Sequence, residues 1–97
     1  MREIVFTTSA YDALLDICEF VEQKNTEGSG KRFFSKFEAF MQKYLPLTNL
    51  KFPLCKSEEL AIHYYSCIVF QKKWIVAFRY NEEQITIHRI ILGSKIN

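Results

Sequence analysis

The sequence contains little glycine and cysteine. Its three glycines leave no phosphate-binding loop, and the patterns GxGxxG, GxSxG and HExxH are absent, which excludes nucleotide hydrolysis and hydride transfer. The three cysteines show neither a CxxC nor a Cys/His ligand spacing, which argues against a disulfide framework and against a zinc site. We therefore expect three separate thiols, no metal and no cofactor.

Excess charge of one sign and long apolar runs are also lacking. Thirteen Lys and Arg against eleven Asp and Glu leave a net charge of +2, too small to indicate a nucleic-acid-binding domain. No apolar stretch approaches the roughly 20 residues that span a bilayer, and the first residues lack a signal-peptide hydrophobic region. The sequence thus predicts a cytoplasmic protein without a membrane partner.

Aromatic residues, in contrast, are abundant. Nine Phe, five Tyr and one Trp make up 15% of the chain, while 48% hydrophobic and 25% charged residues are typical of globular proteins. A length of 97 residues fits one domain, spanning residues 1–97. Aromatic side chains fill cores and also line binding surfaces, so their positions must decide which role they have here.

The first half of the chain predicts a strand followed by two helices. Residues 3–7 are β-branched and aromatic, and Ser9 with Asp12 has the spacing of a helix-capping box. Apolar residues then recur at helical spacing over about 15 residues, at Ala10, Leu14, Ile17, Cys18 and Val21. After a polar break at residues 25–30, a second helix carries Phe33, Phe34, Phe37, Phe40, Met41 and Tyr44. The short connection predicts an antiparallel helical hairpin.

The second half predicts a three-stranded meander. Residues 46–57 form a loop, and three runs dense in Ile, Val and aromatics follow at 60–70, 74–80 and 85–92, separated by short polar breaks. The predicted fold is α+β, of order β-α-α-β-β-β, with the helical hairpin packed on one face of a small, mainly antiparallel twisted sheet. The Phe-rich second helix then accounts for much of the aromatic excess as core.

Alternation along these strands assigns two faces. The predicted core face carries Trp74, Val76, Phe78, Tyr80, Ile85, Ile87 and Ile91, with Arg89 as an exception that needs an edge or a carboxylate. The opposite face mixes polar and apolar groups, at Tyr64, Ser66, Ile75, Ala77, Arg79, Thr86, His88 and Ile90. A bulge would exchange the two sets beyond it.

The mixed face is the candidate site. Tyr64, Arg79 and His88 supply the acid, base and cation that cleavage of RNA by its own 2′-hydroxyl requires, and Lys73, Arg89 and Lys95 lie near the borders. The same residues fit two other interpretations, a solvated surface or a surface that holds an acidic amphipathic partner. A Cys67–His63 nucleophile is excluded, because four residues of strand separate the two by about 13 Å.

The order of elements and several motifs resemble the RelE/ParE toxin superfamily of bacterial toxin–antitoxin and plasmid-stabilisation modules. The motifs are TSAYDALLDI at residues 8–17, similar to the opening of the family's first helix, and WIVAFRY at 74–80 followed by ITIHRIILGSK at 85–95, similar to its closing hairpin. Arg79 and Gly93 match that hairpin. Ile75, Leu92 and Lys95 stand where the family has Arg, His and Arg.

The resemblance implies a toxin neutralised by a cognate small acidic antitoxin. The RelE branch cleaves messenger RNA on the ribosome, whereas the ParE branch poisons DNA gyrase without hydrolytic chemistry. The three substitutions favour the ParE branch, so the resemblance assigns no catalytic residue, and Arg79, His88 and Tyr64 are candidates on residue type alone. We expect the target or antitoxin to contact Tyr64, Lys73, Ile75, Arg79, His88, Ile90 and Lys95. A non-toxic interaction module or a homodimer surface remains an alternative.

Overall fold

The structure, a computed structural model, describes residues 2–46 and 52–93. Its elements are β1 (Glu3–Phe6), α1 (Thr8–Lys24), α2 (Ser29–Tyr44), the single turn α3 (Glu58–Ala61), β2 (Ser66–Phe70), β3 (Trp74–Tyr80) and β4 (Gln84–Leu92). The predicted α+β fold and its β-α-α-β-β-β order are confirmed. The second predicted strand, at residues 60–70, is wrong in its first half, since residues 58–61 are helical and the strand begins only at Ser66.

The four strands form one mixed sheet of order β1-β4-β3-β2. β2, β3 and β4 make the predicted antiparallel meander, and β1 adds to it in parallel, with Ile4 opposite Ile85. A parallel neighbour needs a crossover, which the two helices provide. The helical hairpin therefore lies on one face of the sheet and leaves the other face to the rest of the chain.

Helix α1 begins two residues earlier than the predicted capping box. The N-cap is Thr7, whose hydroxyl accepts a hydrogen bond of 3.0 Å from the Ala10 amide, so Ser9 lies within the first turn. The predicted apolar stripe is confirmed, because Ala10 and Leu14 are buried and the rest of the stripe packs against the same core. Capping oxygens satisfy amides that have no partner within the helix.

The turn between α1 and α2 is organised by one carboxylate. Glu22 accepts hydrogen bonds of 2.8 Å from the amides of Gly28 and Gly30, and these bonds lower the pKa of Glu22. Gly28 has a φ of 84°, which glycine adopts without steric cost. A Cβ on Gly30 would lie 2.5 Å from the Cys18 carbonyl oxygen, so the two helices approach closely at this glycine.

The core between the hairpin and the sheet is largely aromatic. Phe33, Phe37 and Met41 of α2 are buried, and the rings of Phe33 and Phe37 meet Phe70 edge to face at 5.5 and 5.3 Å. Such pairs add to the hydrophobic contribution of burying the rings. The predicted assignment of the Phe-rich helix to the core is confirmed.

A β-bulge in β4 changes the predicted faces of the sheet. Ala77 lies opposite Arg89 and Phe78 opposite Ile87, so His88 is the extra residue, and the alternation shifts by one after it. Ile90 therefore lies in the hairpin-side core at 8% exposure, while Ile91 packs on the opposite face. The predictions of Ile90 on the mixed face and of Ile91 and Arg89 on the core face are wrong.

The first residue of β2 is buried in the core. Ser66 pairs with Phe78 and is 3% exposed, and its hydroxyl donates to the Phe52 carbonyl. It thus faces the core rather than the mixed face, because the β2–β3 turn holds three residues, so that Phe70 pairs with Trp74 and the alternation of β2 shifts by one. Within the described ranges, no helix is long and apolar enough to cross a membrane.

Candidate functional site

The face of the sheet opposite the hairpin, here called the outer face, is partly covered by residues 55–65, which we call the strap. Before the strap, Phe52 lies on the hairpin side, where its amide donates to the Tyr80 hydroxyl at 2.8 Å and its ring meets Phe78. The chain then passes the edge of β2, where Leu54 bridges Ser66. From Cys55 onward it lies over the outer face.

One residue of the strap packs against the middle of the outer face. Leu60 is 1% exposed and forms a small buried cluster with Ala77 of β3 and with Cys55. Ser57 precedes two acidic residues in the first turn of α3, which explains why the chain turns here instead of extending, since acidic side chains favour a helix N-terminus. The strap divides the outer face into two regions with different chemistry.

A disulfide joins the strap to the sheet. Cys55 is bonded to Cys67 of β2, with 5.1 Å between their Cα atoms. The prediction of three separate thiols is wrong for this pair, because residues 52–55 turn back alongside the start of β2 and bring two distant cysteines together. Cys18 is a free thiol, as expected, and its burial raises its pKa.

The first region of the outer face is a cluster of cationic and aromatic groups, the Arg79 cluster, made of Arg79, His63, Tyr65 and His88. The guanidinium of Arg79 donates to the His63 carbonyl through Nε at 3.0 Å and Nη2 at 2.7 Å. Its carbon lies 5.1 Å from the centre of the Tyr65 ring, a distance typical of a cation–π contact. The strap thereby supplies both an acceptor and an aromatic surface to an arginine of the sheet.

Tyr65 lies between two imidazoles. Its ring stacks on His88 at 5.1 Å and lies 5.5 Å from the ring of His63. His88 reaches this position because it is the bulged residue of β4, and bulges redirect side chains in this way. Desolvation, and secondarily the charge of Arg79, lower the pKa of His88 below its ordinary 6.5, which favours the neutral form of this imidazole.

The cluster offers three kinds of group to a ligand. Arg79 keeps its Nη1 donors, which are not used on the His63 carbonyl, for an anionic or carbonyl oxygen. A neutral His88 can accept or donate a proton, and the exposed edges of the rings suit a flat apolar or aromatic group. Within residues 2–46 and 52–93, no group of three or more His, Cys, Asp or Glu could hold a metal ion.

Of the predicted catalytic residues, the structure brings Arg79 and His88 together and leaves Tyr64 outside. Tyr64 is 74% exposed and has a φ of 61°, so it belongs to the turn before β2. The next residue, Tyr65, occupies the place that the prediction gave to Tyr64. The signal that could have found it is the length of the polar break at residues 71–73, since a turn of three residues instead of two shifts the alternation of β2 by one.

The remaining predicted contact residues are spread over the molecule. Lys73 is exposed in the β2–β3 turn, with its ammonium 5.9 Å from the Trp74 ring, and Lys95 lies outside the described residues. Ile90 is in the core. Arg89 lies on the outer face, with its Nη1 3.8 Å from a carboxylate oxygen of Glu59, and both side chains are well exposed, so this pair contributes little to stability.

Ile75 lines the second region of the outer face, an apolar groove of about 430 Å³. Leu54 and Val69, which are 53% and 51% exposed, form its rim, and Lys56 adds a cation. The disulfide lies in its wall.

Comparison with models of known protein families and with curated protein sequences finds no match to this chain.

Proposed function

We propose that this protein is the toxin component of a bacterial toxin–antitoxin module, acting in the cytoplasm by binding a macromolecular target such as DNA gyrase. The observation that carries the proposal is the outer face, where the Arg79 cluster and the apolar groove flank the strap. Exposed apolar and cationic groups on one face suit recognition of another protein. The motifs that resemble the RelE/ParE superfamily supply the kind of target.

The antitoxin in this proposal is a small acidic protein. An amphipathic segment can place apolar side chains in the groove between Leu54 and Val69 and carboxylates beside Lys56 and Arg79. Lys73 is in reach of the same surface, as part of the β2–β3 turn. Such a segment covers the surface that the target needs, which explains neutralisation without any change in the fold.

A ribosome-dependent endoribonuclease is the second candidate, and His88 favours it. The imidazole has a lowered pKa, is half-buried and lies close to the positive charge of Arg79, as suits a general base beside a phosphate-binding cation. Against it, Arg79 donates through two of its nitrogens to a backbone carbonyl, which orients it as part of the strap. Ile75 and Leu92 also lack the cation and the imidazole that the resemblance implies for a nuclease, and Lys95 lacks the bidentate fork of an arginine.

Expression in a bacterial host tests the proposal. The full chain should arrest growth, and co-expression of the small acidic protein encoded beside it should restore growth. Arg79→Ala should weaken the arrest about tenfold or more in surviving colonies, since a charged hydrogen-bonding contact contributes about 1.5–3 kcal/mol. Arg89→Ala is the matched control, because it removes the same charge from the same face without touching the Arg79 cluster, and it should still arrest growth.

The readout in arrested cells separates the candidates. Double-strand DNA breaks with intact messenger RNA support gyrase as the target. Cleaved messenger RNA that becomes intact with His88→Ala supports the nuclease instead. Normal growth at confirmed high expression removes the toxin proposal, and capture of a tight partner from such cells would identify a non-toxic interaction module.

A further inference from the structure

The strap has few contacts that could hold it on the sheet. Among residues 55–65, only Leu60 and Cys55 are buried. Ile62 and Tyr64 are 68% and 74% exposed. The hydrogen bonds that Arg79 donates to the His63 carbonyl are exposed to solvent. Exposed hydrogen bonds and sparse apolar burial mark segments that open at low free energy. The disulfide is therefore the covalent restraint on a segment that is otherwise held by the burial of Leu60 and the contacts of Tyr65.

The disulfide is reachable from solvent. Both cysteines line the apolar groove, which is open to the surface between Leu54 and Val69. Cys67 is half-buried, whereas Cys55 is 7% exposed, so a nucleophile can approach Cys67 more readily. The ammonium of Lys56 on the same groove attracts an anionic thiol and stabilises its thiolate.

We propose that the Cys55–Cys67 disulfide is a site of reversible exchange with a small anionic thiol of the glutathione class, and that its redox state sets how firmly the strap lies on the sheet. This inference rests on the position of the disulfide and on the proposed cytoplasmic location, and it does not require the toxin function. Disulfides inside cells are commonly transient and sensory rather than structural, and an exposed bond is the more easily reduced kind.

The exchange proceeds in two steps. The thiolate attacks Sγ of Cys67, the S–S bond breaks, and its electron pair leaves on Sγ of Cys55, which takes a proton from water. A second thiolate attacks the small-thiol sulfur of the mixed disulfide and releases the Cys67 thiolate, which is protonated in turn. Two small thiols are thereby oxidised to one disulfide, and the protein gains two thiols.

Reduction changes the outer face in a defined way. The two cysteines are 12 residues apart in sequence, and reduction removes the covalent loop between them. Opening of the strap then gains the conformational freedom of that segment. Tyr65 then leaves His88, and Arg79 loses its carbonyl acceptor. Leu60 uncovers Ala77, and the two regions of the outer face become one.

Equilibration of the full chain in glutathione buffers of stepped reduced-to-oxidised ratio tests the proposal. Iodoacetamide alkylation followed by mass spectrometry counts free thiols, and hydrogen exchange reports protection. We expect two thiols to appear together as the ratio rises, and the amides of residues 58–65 to exchange about tenfold or more faster in the reduced protein. The amides of α1 should keep their rates.

Three results overturn the proposal. In the first, the disulfide of the folded protein stays oxidised at the most reducing ratio. In the second, the disulfide does not form even at the most oxidising ratio. In the third, the amides of the strap are equally protected in the oxidised and reduced proteins. Cys18→Ser should leave the transition unchanged. The double variant Cys55→Ser/Cys67→Ser should show fast strap exchange at every ratio, and the wild-type titration decides the question even if this variant does not fold.

Discussion

The ring of Tyr65 lies 5.1 Å from the imidazole of His88, with an angle of 28° between their planes. Tyr65 belongs to the strap and His88 to the bulge of β4, so this stack joins the covering segment to a strand in the interior of the sheet. Arg79 completes the contact from β3. The position of one aromatic ring thus sets the environment of two of the candidate functional residues.

Replacement of Tyr65 should therefore cost stability, whereas replacement of its neighbour should not. We expect Tyr65→Leu to lower the free energy of unfolding by about 1–2 kcal/mol, through loss of the stack and of the cation–π contact. Tyr64→Leu, in a side chain that is 74% exposed, should change it by less than about 0.5 kcal/mol. Urea denaturation of both variants checks this, and equal effects would contradict the placement of the two tyrosines.

His88 makes stability depend on pH. Its pKa is lower in the folded protein than its ordinary 6.5, so between these two values the unfolded chain binds more protons than the folded one. The stabilising contribution is fully present above pH 6.5 and is lost as the pH falls through the folded pKa. His88→Asn should reduce the slope of unfolding free energy against pH in that window, as measured by denaturation at stepped pH.

The pKa of His88 should also report on Arg79. Desolvation is the larger cause of the lowered pKa, and the charge of Arg79 is the second. Arg79→Gln should therefore raise the pKa of His88 part of the way toward its ordinary value, in an NMR titration of the imidazole. Arg89→Gln serves as the control for a general change of charge, and an equal rise in that variant would show that Arg79 has no specific effect.

Gly30 should not tolerate a larger side chain. A Cβ there would meet the backbone carbonyl of Cys18 at 2.5 Å, so α1 and α2 would have to separate. We expect Gly30→Ala to lower the free energy of unfolding by about 1–3 kcal/mol, as overpacking does, despite the better helix propensity of alanine. Ser35→Ala, at an exposed position of the same helix, should have almost no effect in the same denaturation experiment.

Replacing one buried and one exposed phenylalanine should distinguish the aromatic residues that stabilise the core from those on the surface. Phe37 is 1% exposed and packs on Phe70, so Phe37→Ala should cost about 3–5 kcal/mol. Phe20 is 49% exposed on α1, and Phe20→Ala should cost less than about 1 kcal/mol. Melting temperatures of the two variants compare them directly, and similar losses would contradict the assignment of the core.

The predicted fold was correct wherever apolar residues recur at the regular spacing of a helix or strand with one buried face. The stripes of α1 and α2 and the alternation of β3 have this property, because many residues report the same orientation. The bulge at His88 is a change of a single residue, and no turn or glycine marks it in the sequence. Its effect on Ile90 and Ile91 could therefore not be predicted.

The candidate site was only partly predictable for a related reason. Arg79 and His88 share a face within one hairpin, so local alternation and pairing placed them together. Tyr65, the His63 carbonyl and the disulfide reach that face through the strap, whose path depends on packing of Leu60 against Ala77. Contacts between segments that are distant in sequence leave no periodic signal in either segment.

The parallel pairing of β1 with β4 has a consequence for how the chain acquires its structure. Among the described strands, β4 is the last in chain order, yet it lies between β1 and β3. Until β4 has been synthesised, β1 has no neighbour and the apolar face of the hairpin has an incomplete sheet to cover. Because pairing of strands distant in sequence is slow, we expect the sheet to be completed only after residues 84–92 have left the ribosome.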